Sequence, residues 1–387
     1  MASELRVGIA GLGSVSSQIL PVFEGLEGVR LAAAADLRPE ARADFTRRFD
    51  LPAYEDVAEM CRTDKVDAVW IATPNMTHCE HTMAAAQNGK HVICEKPMAV
   101  SLDQCDAMIA AAEKSGVQLL QGHSKIFDAP IQAMRGVVAS GRLGKVFQIN
   151  TWNFNDWLQR PRLASEVDTT MGGGLVYRQG PHMVDIVRYV AGGMGKSVRA
   201  ITGRQDPHFD TEGNFSALIE FEGGVAATLG FNGYGHFDVT ELTWGIGEGG
   251  QQRPDAKQPK PKPRRTGPMV AEEKYQHAAT SAPSETYARG RRMPFFGITV
   301  VSCERGMIRQ SPDGLYVYSE TGCEEVPVTR NAGRAGELIE LRDALAQKRS
   351  VFPDGKWGRA TLEVCLAMLA SSREHRELPL SRQVPSL

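Results

Sequence analysis

A chain of 387 residues with 42% hydrophobic and 23% charged side chains can bury a core of two-domain size, which excludes a largely disordered protein. Its 44 basic and 46 acidic residues leave a formal charge of −2, so no general attraction to nucleic acid or to an anionic membrane is expected and any anion site must be local. The seven cysteines, at 61, 79, 94, 105, 303, 323 and 365, form no CxxC pair and no metal-ligand spacing, which predicts a reduced, cytoplasmic protein without a metal centre. No basic-then-apolar leader precedes the first apolar run, and no run reaches the ~18 residues of a membrane span.

The first stretch, Arg6 to Ser17, reads as a buried strand, a glycine turn and a helix. Gly11 permits the tight turn. Gly13, with Ser14 and Val15, lets the backbone approach a pyrophosphate at the helix start, where free N–H groups favour anions. Ser16 stands where a third glycine is usual, so the motif alone is weak. A second apolar run, Val29 to Ala35, ends in Asp36, placed to accept from a ribose 2′-hydroxyl, and this spacing strengthens the reading as an NAD site. Arg38 lies two residues on, where it is placed to swing over the adenine and tolerate a 2′-phosphate, so NADP is the less favoured cofactor. Pro21 falls inside the first helical pattern and predicts a kink or a shortened helix.

Further short apolar runs at Val66–Ala72, His91–Cys94 and Gln118–Leu120 alternate with amphipathic segments, which predicts a parallel sheet covered on both faces across residues 1–125. Pro39 suits a first helical turn, Ser101 to Gln104 reads as a capping box, and Gly89 and Gly116 stand as helix stops. Ligands of open parallel sheets lie beyond the carboxyl ends of the strands. Two such segments stand out: Thr73-Pro74-Asn75 running on to His78, and Glu95-Lys96-Pro97. A lysine directly after a buried strand suits a fixed cation near a nicotinamide; taken alone, a salt-bridged structural lysine fits equally well.

Residues 126–387 read as an α+β domain, with strands at Val146–Phe154, Ser197–Arg204, Asn214–Phe221, Val225–Asn232, Phe296–Cys303, Met307–Gln310 and Leu315–Tyr318. Residues 246–293 break the pattern with Gly-, Pro- and basic-rich sequence, including Lys257 to Arg265, and read as a long loop or insertion that serves as a solvated arm or an oligomer clasp. Residues 356–376 hold a closing helix.

GxAGLGxxS, the Asp36 strand end, TPNxxH, EKP, the run Gly141 to Val146 and the run Gly172 to Asp185 together resemble the glucose–fructose oxidoreductase/inositol dehydrogenase/rhizopine-catabolism (Gfo/Idh/MocA) family nearly end to end. The resemblance implies a Rossmann nucleotide-binding domain followed by a domain with an open, mostly antiparallel sheet that often mediates homo-oligomer contacts, dimeric or tetrameric. It places Lys96 and His182 at the reacting centre, the lysine polarising or deprotonating the substrate oxygen and the histidine relaying the proton. Asp185, one turn on, orients His182 or serves structurally.

The second signature departs from the family where Arg178 replaces the acid of the sugar and polyol enzymes. A guanidinium suits a substrate carboxylate. Arg160 and Arg162 lie on a segment that approaches the pocket in this family, and Trp157 stands to wall off a flat ring; the plain alternative is that these arginines pair with acids such as Glu166 or Asp168. Tyr177-Arg178 to His182, Arg160-Pro161-Arg162 and the segments Phe296–Gly306 and Ser311–Tyr316 resemble the phthalate 4,5-cis-dihydrodiol dehydrogenase branch. That implies NAD-dependent oxidation of a carboxylated cis-dihydrodiol to the catechol. A sugar or inositol dehydrogenase, a non-catalytic NAD-binding regulator, and glycoside cleavage through transient oxidation are the alternatives.

Overall fold

The computed structural model describes residues 4–253, 264–271, 274, 292–328 and 332–386. They fall into two compact units.

The first unit carries six parallel strands: β1 (Leu5–Ala10), β2 (Val29–Ala35), β3 (Ala53–Tyr54), β4 (Ala68–Ile71), β5 (His91–Glu95) and β6 (Leu119–Gly122), in the order β3-β2-β1-β4-β5-β6. Near-continuous burial along β1, β4 and β5 is what a parallel sheet covered on both faces demands. Pro21 shortens the first helix. Only Ser16–Ile19 is α-helical, and the chain continues as a 3-10 turn, Leu20–Phe23, with the proline in its first turn. The Ser101 cap forms, its side chain accepting the Gln104 N–H at 3.3 Å, but the reciprocal bond comes from Val100 rather than Ser101, at 3.2 Å.

The linear division at 125/126 needs one correction. The chain passes from the first unit to the second between His123 and Ser124, but residues 334–362 belong to the first unit. Leu338, Leu341, Ala344 and Val351 enter the same core as Val7, Ile9 and Trp70, and the Gln121 N–H donates to the Pro353 carbonyl at 2.9 Å. Apolar periodicity alone does not tell a helix which sheet to cover, so sequence order misassigns this segment.

The second unit is a nine-stranded open sheet of β7 (Val146–Phe154), β8 (Gly195–Gly203), β9 (Asn214–Phe221), β10 (Ala226–Asn232), β11 (Ile298–Cys303), β12 (Gly306–Ser311), β13 (Gly314–Ser319), β14 (Gly322–Pro327) and β15 (Leu378–Pro379). The order is β14-β13-β12-β11-β7-β10-β9-β8-β15; only β7 and β10 pair in parallel. The helix Gly174–Ala191 packs on one face, over Ile149, Ala227, Phe215 and Phe231. A Cβ at Gly180 would stand 3.2 Å from Cys365 Sγ, so glycine there lets the helix Gly355–Glu374 approach closely. The other face presents Trp152, Leu218 and Ile201, all exposed.

The excursion after β10 is tethered where it is described. Met269 N–H donates to the Arg162 carbonyl at 2.6 Å, and Lys274 reaches Glu166. The basic stretch 257–265 lies outside the described residues except for Arg264 and Arg265.

Candidate active site

In the first unit, each expected cofactor segment follows a strand end. Gly11 has φ +93°, and a Cβ there would meet the Ala72 carbonyl at 2.8 Å, so the turn admits glycine alone. At Gly13 a Cβ would project into open space, which is the room a pyrophosphate needs beside the backbone. Ser16 turns inward and donates to the Gly13 carbonyl at 2.6 Å, which explains how a serine is tolerated at the third glycine position. Asp36 accepts from the Leu12 N–H at 2.8 Å and the Arg38 N–H at 2.9 Å, and pairs with the Arg38 guanidinium at 3.0 Å. Burial opposes its charge, but the Arg38 side chain and these two N–H groups hold the carboxyl below its usual range. It is therefore an ionised acceptor at the end of β2, as the ribose of NAD requires, with Arg38 folded against it. These features fit NAD.

The loop after β4 is laced by hydroxyls: Thr77 Oγ1 donates to Thr73 Oγ1 at 3.0 Å, and Thr73 Oγ1 lies 2.9 Å from His81 Nδ1. Beside them Pro74 and Asn75 begin a short 3-10 turn. His78, expected to touch the cofactor, is corrected by the structure. Its ring is buried, with Nδ1 2.9 Å from the Pro97 carbonyl and Nε2 2.9 Å from the Thr73 carbonyl. It stands behind the site and ties its two loops together. Glu95 is likewise internal, paired with Arg334 at 2.5 Å, while Lys96 between them is partly exposed.

In the second unit, the helix Gly174–Ala191 carries Tyr177, Arg178, His182 and Asp185. His182 packs its ring against Phe296, centroids 4.8 Å apart, and Lys125 Nζ lies 5.5 Å over the same phenyl ring. Lys125 donates to the Glu248 carbonyl at 2.9 Å, and Asn155 Nδ2 donates to Glu248 Oε1 at 3.2 Å. A polar cleft of about 200 Å³ opens here, lined by Asn153, Asn155, Arg160, Thr240, Glu248 and Phe295 among others. Asn153 Nδ2 and Thr240 Oγ1 in its wall meet no partner among the described residues, capacity that a hydroxylated ligand can use. A larger hollow of about 510 Å³, around Asp206, His208 and Tyr234, holds none of the expected site residues.

Arg178 stands one helical turn before His182 and pairs with Glu166 at 3.0 Å. Lys274 meets the same carboxylate. Burial works against Glu166, but Arg178, Lys274 and the Leu163 N–H hold it down at about 2. Arg162 stacks over Trp157 at 4.6 Å; burial, then Arg178 and Arg160, lower its pKa to about 9. Three cations thus crowd one carboxylate. Arg160 is held apart by Asp156 at 2.8 Å.

Two expectations are corrected here, and for Asp185 the structural of its two expected roles is the one met. Trp157 is fully buried and covered by Arg162, so it cannot itself wall off a ligand ring. Tyr177 belongs to the interior, its hydroxyl pushed up to about 12 by burial with Cys365 and Glu212 nearby. Asp185 is fully buried and, with Glu363, supports the charge of Arg188, which burial lowers to about 10. Each of the three side chains is buried in the core. Sequence reasoning missed Lys125, Lys274, Glu248 and Arg334. Lys125 was accessible to the strand-end rule, since it follows β6 by three residues; the other three come from segments without motifs.

The chain is similar to known proteins along most of its length. The model of the oxidoreductase family with NAD-binding Rossmann fold matches residues 5–123, and the GFO/IDH/MocA C-terminal domain matches residues 131–243. A 1-carboxy-3-chloro-3,4-dihydroxycyclohexa-1,5-diene dehydrogenase of Comamonas testosteroni is 34% identical over 386 residues, 95% of each chain. A crystal structure from Bordetella bronchiseptica superposes with a TM-score of 0.88 at 36% identity, covering 97% of this chain and 100% of that one. An aldose-aldose oxidoreductase of Caulobacter crescentus, at 24% identity and a TM-score of 0.74 over 97% of this chain and 100% of its own, shares the fold.

Proposed function

This chain belongs to the Gfo/Idh/MocA family of NAD-binding oxidoreductases, and on that premise we propose that it oxidises a carboxylated cyclohexadiene cis-diol to the corresponding catechol. Bound NAD supplies the hydride acceptor. Lys96 polarises the carbinol oxygen and His182 takes up the hydroxyl proton, leaving a hydroxyketone whose tautomerisation restores an aromatic ring. A phthalate-type dihydrodiol is one member of this substrate class.

The observation that carries the reading is the cationic cluster one turn before His182. Arg178 and Lys274 pair with Glu166, and Arg162, whose charge is opposed first by burial and then by Arg178, is close enough to feel both; a carboxylate entering there would meet all three cations. A sugar brings no such charge. The named substrate of the Comamonas relative, a carboxylated cyclohexadiene diol, supports the same class. The test is NADH formation across carboxylated and uncarboxylated cyclohexadiene cis-diols, sugars and inositols. Turnover confined to sugars or inositols would overturn the proposal.

We also propose self-association through the exposed face of the second sheet, which presents Trp152, Leu218 and Ile201. Sedimentation of Trp152→Glu should show smaller species than wild type; an unchanged size would refute this surface.

A further inference from the structure

The reacting lysine sits on a loop of one residue's reach, and its two neighbours are fixed from behind. On one side, Glu95 pairs at 2.5 Å with Arg334, which also lies 3.9 Å from the fully buried Glu337. On the other side, the Pro97 carbonyl faces His78 Nδ1 at 2.9 Å, and His78 Nε2 faces the Thr73 carbonyl at the same distance. The ring is almost wholly buried, so water does not compete for either contact.

A neutral imidazole owns one N–H, yet two carbonyls face this ring. The two ties are not equivalent. Thr73 is already anchored through its side chain to Thr77 and His81. Pro97 has no side-chain polar group to hold it, so the imidazole is what fixes the Pro97–Met98 peptide, one residue beyond Lys96. We propose that His78 is a positioning residue for Lys96, acting through an Nδ1–H bond to the Pro97 carbonyl, with the Nε2 contact to Thr73 secondary. The inference rests on the catalytic reading of Lys96 given above.

The two amide isosteres separate the ties. In His78→Asn the side-chain amide can donate from the position of Nδ1; in His78→Gln it donates from that of Nε2. His78→Asn should keep kcat within about 3-fold of wild type. His78→Gln should lower kcat by ~10-fold or more, since displacements near 1 Å cost on the order of 100-fold at reacting groups. NAD affinity, measured by titration, should change by less than about 3-fold in both. On a Lys96→Ala background, His78→Gln should lower kcat no further. Equal losses in the two variants, or full kcat in His78→Gln, would overturn the proposal. If Lys96→Ala keeps kcat, the catalytic reading of Lys96 fails and this inference falls with it; if Lys96→Ala collapses kcat and His78→Gln does not, only this inference fails. Should neither variant fold, the ring ¹⁵N shifts of His78 in the wild-type protein still decide: protonation at Nε2 alone leaves no donor for Pro97 and refutes it.

Discussion

The strand-end loops of the first unit and the arginine cluster of the second are held by different forces. Thr73, His78, Glu95 and Pro97 are fixed by buried hydrogen bonds and one ion pair, most of them to backbone carbonyls. Arg162, Arg178, Lys274 and Glu166 are gathered by charge, with Arg178 and Lys274 paired to Glu166 and Arg162 stacked on Trp157 beside them. A site held by backbone bonds keeps one geometry whatever ligand arrives, which suits a cofactor common to many reactions. A site held by ion pairs can exchange one partner for a charged ligand, which suits the choice of substrate.

The largest effect should come from the first region. Lys96→Ala should lower kcat by ~10²–10⁴-fold with NAD affinity nearly intact, the scale for losing a positioned proton-transfer group, and His182→Ala should behave similarly. Steady-state kinetics with a parallel NAD titration check this, and near-normal kcat in a folded variant would remove that residue from the chemistry.

The second region should discriminate instead. Arg178→Ala should cut kcat/KM for a carboxylated diol by roughly 30-fold to a few thousand-fold, as truncating one partner of a desolvated charge pair costs about 2–5 kcal/mol. Loss with an uncarboxylated diol should be far smaller, and Lys should restore only part. Equal losses on both substrates would make Arg178 a structural residue and dissolve the contrast drawn above.

Acid should weaken the cluster around Glu166. Glu166 sits at about 2 in the folded protein against an ordinary 4.5, so its contribution is complete above about pH 4.5 and drains as the pH falls toward 2. That difference, 4.5 less about 2, corresponds to on the order of 3 kcal/mol. Circular dichroism between pH 5 and pH 2 should show a shallower loss of stability in Glu166→Gln than in wild type. Identical slopes would show that the carboxylate is not the anchor of the cluster.

The smallest effect concerns the cofactor. Asp36 should favour NAD over NADP by about 1–2 kcal/mol, the repulsion expected of like charges a few ångströms apart in a wet site, and Asp36→Ala should narrow the ratio of kcat/KM values. Arg38, already bound to Asp36, would be released by that change.

What was legible in the sequence follows the same division. Gly11, Gly13, Asp36 and the EKP loop were placed at strand ends, as the structure has them, because a strand end and a tight turn impose fixed residue types at fixed spacing. Pro21 declared the shortened helix through its ring alone. The cluster around Glu166 was only half visible: Arg178 stood out against the signature, but Lys274 arrives from a segment with no periodicity, about 100 residues further on. Tyr177 and Trp157 were misplaced because a motif names neighbours along the chain and not which side chains meet the core. His78 was placed in the right loop and given the wrong partner for a related reason, since its ring reaches backbone rather than any residue a pattern can display.

The return of residues 334–362 to the first core sets the order in which this protein is made. When Gly122 leaves the ribosome, all six strands of the first sheet exist, but the surface that Leu338, Leu341 and Val351 will cover is still bare. At ~5–20 residues per second, the roughly 200 intervening residues take on the order of 10–40 s to synthesise. Throughout that interval the nascent nucleotide-binding unit exposes apolar surface to chaperones and to other nascent chains, and the second unit is completed later still, by the segment that begins at Glu363. A gene fragment ending near residue 125 would reproduce that unfinished state permanently, and a soluble excised first unit needs the distant helix supplied back to it.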